Sequence, residues 1–426
     1  IMTEKKPAIQ QPASCSDHDS SALPLDIAWQ RIVTDIRPLQ GVERVSMRQA
    51  LGRVLAEPIR SPLNVPAHDN SAMDGYALRA ADLPEHGERA FRLVGAAFAG
   101  HPFAGQVGPG ECVQIMTGAP IPAGADTVVI QERVRRDGDS VQVPGGEQPG
   151  QNVRRAGEDL AEGQVVLEAG QRIGPAELGL LGSLGLVEVA VWRRLRVAFF
   201  STGDELRSAG SPLAAGQVYD SNRYTLYAML QRLGVELTDM GVIADDPAAL
   251  ERAFTDAASF ADAIISSGGV SVGEADHVKQ ILARLGRVNF WQIAIRPGRP
   301  LAFGTIGRAY FFGMPGNPVS VVATWYQFVQ PALRRLMGQR LEPPLSFRVR
   351  TVSDLRKRPG RTEIQRGILE RDASGELVVR STGPQGSGIL RSVSMANCFI
   401  VLPHDRGPVK AGEMVDVQPF EGIMGW

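Results

Sequence analysis

Between residues 175 and 335 four apolar runs, RLRVAFF, VELTDMGVI, ADAIISS and RAYFFGM, alternate with helical stretches beginning near Ser221, Asp246, Glu274 and Pro318. No other feature of the chain constrains its fold as strongly. Strand–helix alternation demands a mostly parallel sheet covered by helices on both faces. Ligands in such sheets bind beyond the carboxyl ends of the strands. The least ordinary sequences all fall at those ends: STGDEL, IADD, SSGGVSVGEAD and MPGNPVS.

At 426 residues the chain is too long for one core. A first helix is expected from about Asp26, with Ala28, Ile32 and Ile36 at four-residue spacing. A second is expected after Ser46 as cap, with Leu51, Val54 and Leu55 inward. From 60 to 170 short runs (FRLVGAAF, ECVQIM, DTVVIQE, SVQVP, QVVLEAG) between Gly/Pro turns predict a β-rich domain. From 340 onward FRVRTVS, EIQRGILE, ELVVRST, CFIVL and MVDVQPF predict a small β-barrel or sandwich. The fold class expected is α/β plus β, multidomain, with a central doubly wound sheet. The division expected is a disordered tail over 1–22, a mixed helical segment over 23–60 with 155–178, a β-rich domain over 61–154, the α/β domain over 179–337 and a β domain over 338–426.

The formal net charge of −1 argues against electrostatic capture of nucleic acid or of an anionic membrane. No apolar stretch approaches the roughly 20 residues that span a bilayer. The polar N-terminus lacks a signal-peptide core, and Cys15, Cys112 and Cys398 are too scattered for a disulfide framework or a zinc site. A reduced cytoplasmic chain is expected.

Two features of SSGGVSVGEAD pull in opposite directions. A Gly/Ser loop between strand and helix offers free backbone N–H groups to an anion, yet Glu274 and Asp276 follow at once. A metal ion between carboxylate and anion resolves the conflict. Ser201, Thr202 and Gly203 of STGDEL end a strand before Asp204 and Glu205, where Asp204 reads equally as a helix cap. In Asp245-Asp246-Pro247, Asp246 reads as the cap and Asp245 as the spare carboxylate. Glu205, Asp245 and Asp276 would then stand at neighbouring strand ends, a donor set suited to Mg²⁺. Pro315, Gly316, Asn317 and Pro318 of MPGNPVS read as turn and helix-start punctuation, and their place beside the Gly/Ser loop suggests further anion-facing groups. No GxxxxGK[ST] or GxGxxG is present. Arg296 and Arg299 of IRPGRP read either as solvated side chains or as forks for a tetrahedral oxyanion. DNSAMDGYALR, MTGAPIP, NVRRAGEDL and TGPQGSG read as polar loops. Within the third, Arg154, Arg155, Glu158 and Asp159 look selected for binding.

In this order the motifs resemble the MoeA family, the bacterial molybdopterin molybdenumtransferases that include the gephyrin E-domain, from about residue 25 to the C-terminus. The resemblance implies an elongated homodimer of four-domain chains, a central domain of molybdopterin-binding type, and 23–60 with 155–178 as a dimerisation segment. It implies insertion of molybdate into adenylylated molybdopterin with release of AMP, assisted by Mg²⁺. A molybdopterin adenylyltransferase and molybdoenzyme clients follow as partners, with no nucleic acid and no membrane. Catalytic roles fall on Asp74, Asp159, Glu205 and Asp276. Substrate contacts fall on Thr117, Arg154, Ser201, Thr202, Gly203, Ser267, Gly268, Gly269, Ser271, Gly273, Arg296, Arg299, Pro315, Gly316, Asn317, Pro318 and Ser387. Family members often carry lysines in FWxxAIKPGKP, whereas this chain has Gln292, Arg296 and Arg299 there. The alternatives are a stand-alone adenylyltransferase, a paralogue for tungstate or one client, and a non-catalytic scaffold.

Overall fold

A computed structural model describes residues 22–269 and 275–420, without the side chains of 275–277 and 290. The expected tail over 1–22 lies almost wholly outside the described residues. Two compact units divide the chain: one holds residues 44–51 and 55–189, the other residues up to 43, 52–54 and 190 onward. The division read from the sequence is finer than this. The helix Leu25–Asp35 contributes Ala28 and Ile32 to the core of the second unit, not to a segment with 155–178.

In the second unit the four apolar runs are strands β1 (Arg196–Thr202), β2 (Glu236–Ile243), β3 (Ala263–Ser267) and, after β4 (Gly286–Gln292) and β5 (Pro300–Ile306), β6 (Ala309–Met314). Sheet order is β2-β1-β3-β6-β5-β4, parallel from β2 to β6, with β5 antiparallel to both its neighbours. Helices α1 (Ser221–Leu233), α2 (Pro247–Phe260), α3 (Ala275–Leu285) and α4 (Pro318–Thr324) connect or follow them. Alternation along β1 sends Val197 and Phe199 into one layer with Leu226 and Leu230 of α1. Ala198 and Phe200 enter the other with Phe254 of α2. Asp220 caps α1 by accepting from the Arg223 N–H, and Asp246 caps α2 by accepting from the Ala249 N–H. Asn317 stands at the cap position of α4, but its side chain makes no capping bond.

Beyond α4 the helix widens into a π turn over Trp325–Val329 before resuming at Gln330–Leu336. Pro331 has no N–H to return to Gln327, so the ladder there must skip a residue.

The C-terminal strands Phe347–Thr351, Thr362–Arg371, Leu377–Ser381, Cys398–Leu402 and Met414–Pro419 form a closed barrel, because Thr362–Arg371 pairs with both Leu377–Ser381 and Cys398–Leu402. Val379, Ile400, Val415 and Val417 fill it. The short strand Ile295–Arg296, which follows β4, pairs in parallel with Thr362–Glu363 at the barrel's edge.

The first unit holds a six-stranded sheet in the order Thr127–Ile130, Gly75–Leu78, Glu111–Ile115, Glu88–Ala97, Ser140–Pro144, Arg135–Asp137. Gly75–Leu78, expected as loop, is a buried strand of this sheet. A side chain at Gly75 would meet the Val129 carbonyl at 2.1 Å, so only glycine lets these strands pair. The helix expected after Ser46 is one turn, Met47–Ala50; Leu51 is 51% exposed while Val54 and Leu55 are buried. Gly52 at φ +76° turns the chain away where the helix was expected to continue.

Candidate functional site

The structure gathers the expected residues into two groups, one in each unit. In the first unit three motifs converge through backbone pairing. Asn70–Ser71 pairs with Val153–Arg154, and the Ser71 N–H donates to the Ala119 carbonyl while its own carbonyl accepts from Gly118. Asn152, at φ +57°, turns the chain into that pairing and donates through Nδ2 to the Val128 carbonyl. Asp74 Oδ1 accepts from both the Thr117 N–H, at 2.7 Å, and the Thr117 hydroxyl, at 2.8 Å. These two bonds hold the Asp74 carboxyl below its ordinary range.

NVRRAGEDL divides its labour. The Arg155 guanidinium pairs with Asp69 at 2.6 Å, and the Arg155 N–H donates to Glu158. Asp69 also accepts from the Ala156 N–H, and this bond followed by Arg155 holds its carboxyl low. Arg155 and Glu158, expected as binding groups, are thus the loop's own ties. Arg154 and Asp159 are exposed. Sequence reasoning misses Asp69, because its partner Arg155 stands 86 positions further along the chain.

In the second unit the expected loops stand at adjacent strand ends. Gly203, at φ +147°, lets Glu205 fold back, and a Cβ there would lie 2.6 Å from its carboxylate. The Asp245 N–H donates to Asp204 Oδ1 at 3.2 Å, so Asp204 ties the loop after β1 to that after β2 and does not cap a helix. Glu205 and Asp245 are exposed. Among the described residues no three Asp, Glu, His or Cys side chains stand close enough to hold a metal. Asp276 lies in α3, its side chain outside the described residues, as do Ser271 and Gly273 altogether.

Gly268 and Gly269, at φ +90° and +67°, fold over Thr202 so closely that a Cβ on either would meet Thr202 oxygens at 2.6 and 2.9 Å. Ser201 Oγ and Thr202 Oγ1 are buried and have no partner among the described residues. The Gly268 N–H donates to the Met314 carbonyl, joining this loop to MPGNPVS. The start of α4 offers less than the sequence suggested. Pro318 has no N–H, Pro315 is buried, and the Val319 N–H donates to the Ser387 carbonyl from TGPQGSG.

Arg296 is exposed and stands 3.6 Å from the buried Glu363. It lines a cavity of about 590 Å³ with Glu363, Arg366 and Gln385 of the barrel. Arg366 is 1% exposed and donates to the Ser392 hydroxyl and the Gly386 carbonyl. Burial, reinforced by nearby Arg296, lowers its pKa to about 10. A buried guanidinium bonded only to neutral groups attracts anions. Its signal in the sequence was an arginine at an inward position of EIQRGILE. Arg299 is half-buried and its carbonyl accepts from the Ile293 N–H.

Glycine loops and carboxylates at the ends of a doubly wound sheet, joined to a closed barrel, define a multidomain protein built around an α/β domain. Residues 23–185 match the MoeA N-terminal region (domain I and II), residues 198–335 a probable molybdopterin binding domain, and residues 348–420 the MoeA C-terminal region (domain IV). The chain belongs to the MoeA family of molybdenum cofactor biosynthesis. It is 45% identical over 408 residues to the molybdopterin molybdenumtransferase of Haemophilus influenzae, covering 95% of this chain and 100% of the relative. It is 36% identical to that of a Nostoc species over 90% of each. The crystal structure of the molybdopterin biosynthesis moeA protein of Pyrococcus horikoshii OT3 superposes with a TM-score of 0.82 at 29% identity, over 94% of this chain and 100% of that one. No helix among the described residues is long and apolar enough to cross a membrane.

Proposed function

We propose that this chain is a molybdopterin molybdenumtransferase that takes adenylylated molybdopterin and molybdate and releases molybdenum cofactor and AMP. The observation that carries the reading is the junction of Ser267–Gly269 with Met314–Asn317 at the carboxyl ends of β3 and β6, beside the exposed acids after β1 and β2. A phosphorylated ligand there meets backbone donors, and Glu205 and Asp245 face the same rim. Two hard carboxylates plus substrate phosphates fit Mg²⁺, which Glu205, Asp245 and Asp276 would hold. Bound there, the ion supplies charge neutralisation for the phosphoanhydride.

Asp74 stays ionised and is a weak base, so its role is to orient a water or a substrate hydroxyl through Oδ2. Water attack on the adenylyl phosphorus breaks the P–O–P bridge and leaves AMP and the pterin phosphate. Arg296 and Arg299 are the oxyanion arms for molybdate, and for Arg296 the cavity it lines with Arg366 supports that assignment. Thr117, Arg154, Asp159 and Ser387 complete the ligand contacts. The working form is a cytoplasmic homodimer, supplied by a molybdopterin adenylyltransferase and serving molybdoenzyme clients. Incubation with adenylylated molybdopterin, molybdate and Mg²⁺ should release AMP in step with molybdate. Release of pyrophosphate from ATP and molybdopterin would overturn the reading in favour of an adenylyltransferase.

A further inference from the structure

Asn222 is buried in the first turn of α1 and belongs to none of the groups above. Its Nδ2 donates to Ser267 Oγ at 2.9 Å and to the Gly316 carbonyl at 2.6 Å. A carbonyl only accepts, so the amide nitrogen and not the oxygen must face Gly316, which fixes the side chain's orientation. The two acceptors lie on different loops, one closing β3 and the other opening α4. The Gly268 N–H to Met314 carbonyl bond also crosses between these loops. A Cβ on Gly316 would come within 3.9 Å of the Gly268 Cα, so the loops lie close together.

We propose that Asn222 is a positioning residue whose amide locks the Ser267–Gly269 loop and the Met314–Asn317 turn into one rigid anion cradle. The proposal rests on the reading of those loops as ligand-holding. Aspartate could not substitute, because it would set a carboxylate oxygen against the Gly316 carbonyl. Among the described residues Asn222 Oδ1, although buried, has no partner, and both bonds of the side chain run through its nitrogen.

Amide exchange of the full chain, read by mass spectrometry, tests the lock without any ligand. In Asn222→Ala, exchange over 266–269 and 316–317 should accelerate about tenfold or more, while β1 and the barrel strands keep their wild-type rates. Ser267→Ala removes one acceptor of Asn222 and the long bond, 3.5 Å, that the Ser267 hydroxyl donates to the Pro315 carbonyl, but keeps the Asn222 bond to Gly316. It should give a smaller acceleration in the same segments, which serves if Asn222→Ala fails to fold. Unchanged loop exchange, or equal acceleration throughout the unit, would overturn the proposal. Titration with AMP separates this from the functional reading. Asn222→Ala should bind AMP about tenfold more weakly than wild type, with kcat less affected than KM. If the wild-type chain binds no AMP, the ligand reading fails, and loop exchange alone decides the role of Asn222.

Discussion

Asp74 and Thr117 are joined twice through a single carboxylate oxygen, which accepts from the threonine's backbone N–H and from its hydroxyl. The Asp74 carboxyl is held below its ordinary range chiefly by the N–H, then by the hydroxyl. Its folded pKa is depressed, so the stabilisation is present above the unfolded value of about 3.9 and is lost as pH falls through the folded one. The acid limb of AMP release should therefore lie below the usual carboxylate range. Thr117→Val keeps the N–H and loses the hydroxyl, and should move that limb to higher pH. Asp74→Asn and Asp276→Asn, both near-isosteric, should abolish AMP release with the fold intact by circular dichroism. Wild-type turnover in either would make it an ordinary loop acid.

Arg299→Ala should weaken molybdate-dependent turnover about ten- to hundredfold, the loss of one charge-assisted bond of about 1.5–3 kcal/mol. Arg299→Lys should restore part of this, returning the charge without the fork. Gln292→Lys should lower the molybdate concentration needed for half-maximal rate. The readout is turnover against molybdate, with pterin binding measured separately. Loss of pterin binding with unchanged molybdate dependence would move Arg299 to the phosphate site.

The catalytic-looking motifs fall in two compact units, Asp74 and Arg154 in one and Gly268 and Arg296 in the other. A homodimer is expected to pair the first group of one subunit with the second group of its partner. Sedimentation should give a dimer, and mixing inactive Asp74→Asn with inactive Asp276→Asn should restore partial activity in heterodimers. A fully active monomer contradicts this.

Phe254 of α2 lies edge-on between Phe200 and Phe311, both centroids at 5.4 Å. Phe254→Ala should cost about 3–5 kcal/mol in urea unfolding through cavity formation. Leu51→Ala, at an exposed position, should change stability by less than about 0.5 kcal/mol.

The parallel strands and the barrel strands were legible because each carries a run of apolar or alternating residues long enough to set its period. Gly75–Leu78 escaped because it is only four residues, buried along its length and preceded by acids and small residues, so no alternation announces it. The helix after Ser46 is shorter than its spacing implies, since Leu51, Val54 and Leu55 keep helical spacing across a left-handed glycine. At the site, residue types pick out loops that the fold brings to adjacent strand ends. They did not distinguish Arg154 from Arg155, because that depends on Asp69, 86 positions away in sequence from its partner. Asn222 escapes for the same reason: it acts through Ser267 and Gly316, brought near it only by folding.

The passage from β4 into the barrel leaves almost no slack. Gln292 ends one hydrogen-bond ladder and Ile295 begins another, with only Ile293 and Ala294 between them. Two residues supply four soft dihedrals, and the Ile293 N–H is already engaged by the Arg299 carbonyl. No hinge can work there while both ladders hold. The barrel is therefore a fixed gauge for Arg296: it sets where that guanidinium stands through the Arg296–Glu363 register. A chain cut after residue 337 would keep the parallel sheet and its glycine loops but lose the reference against which the arginine is aligned.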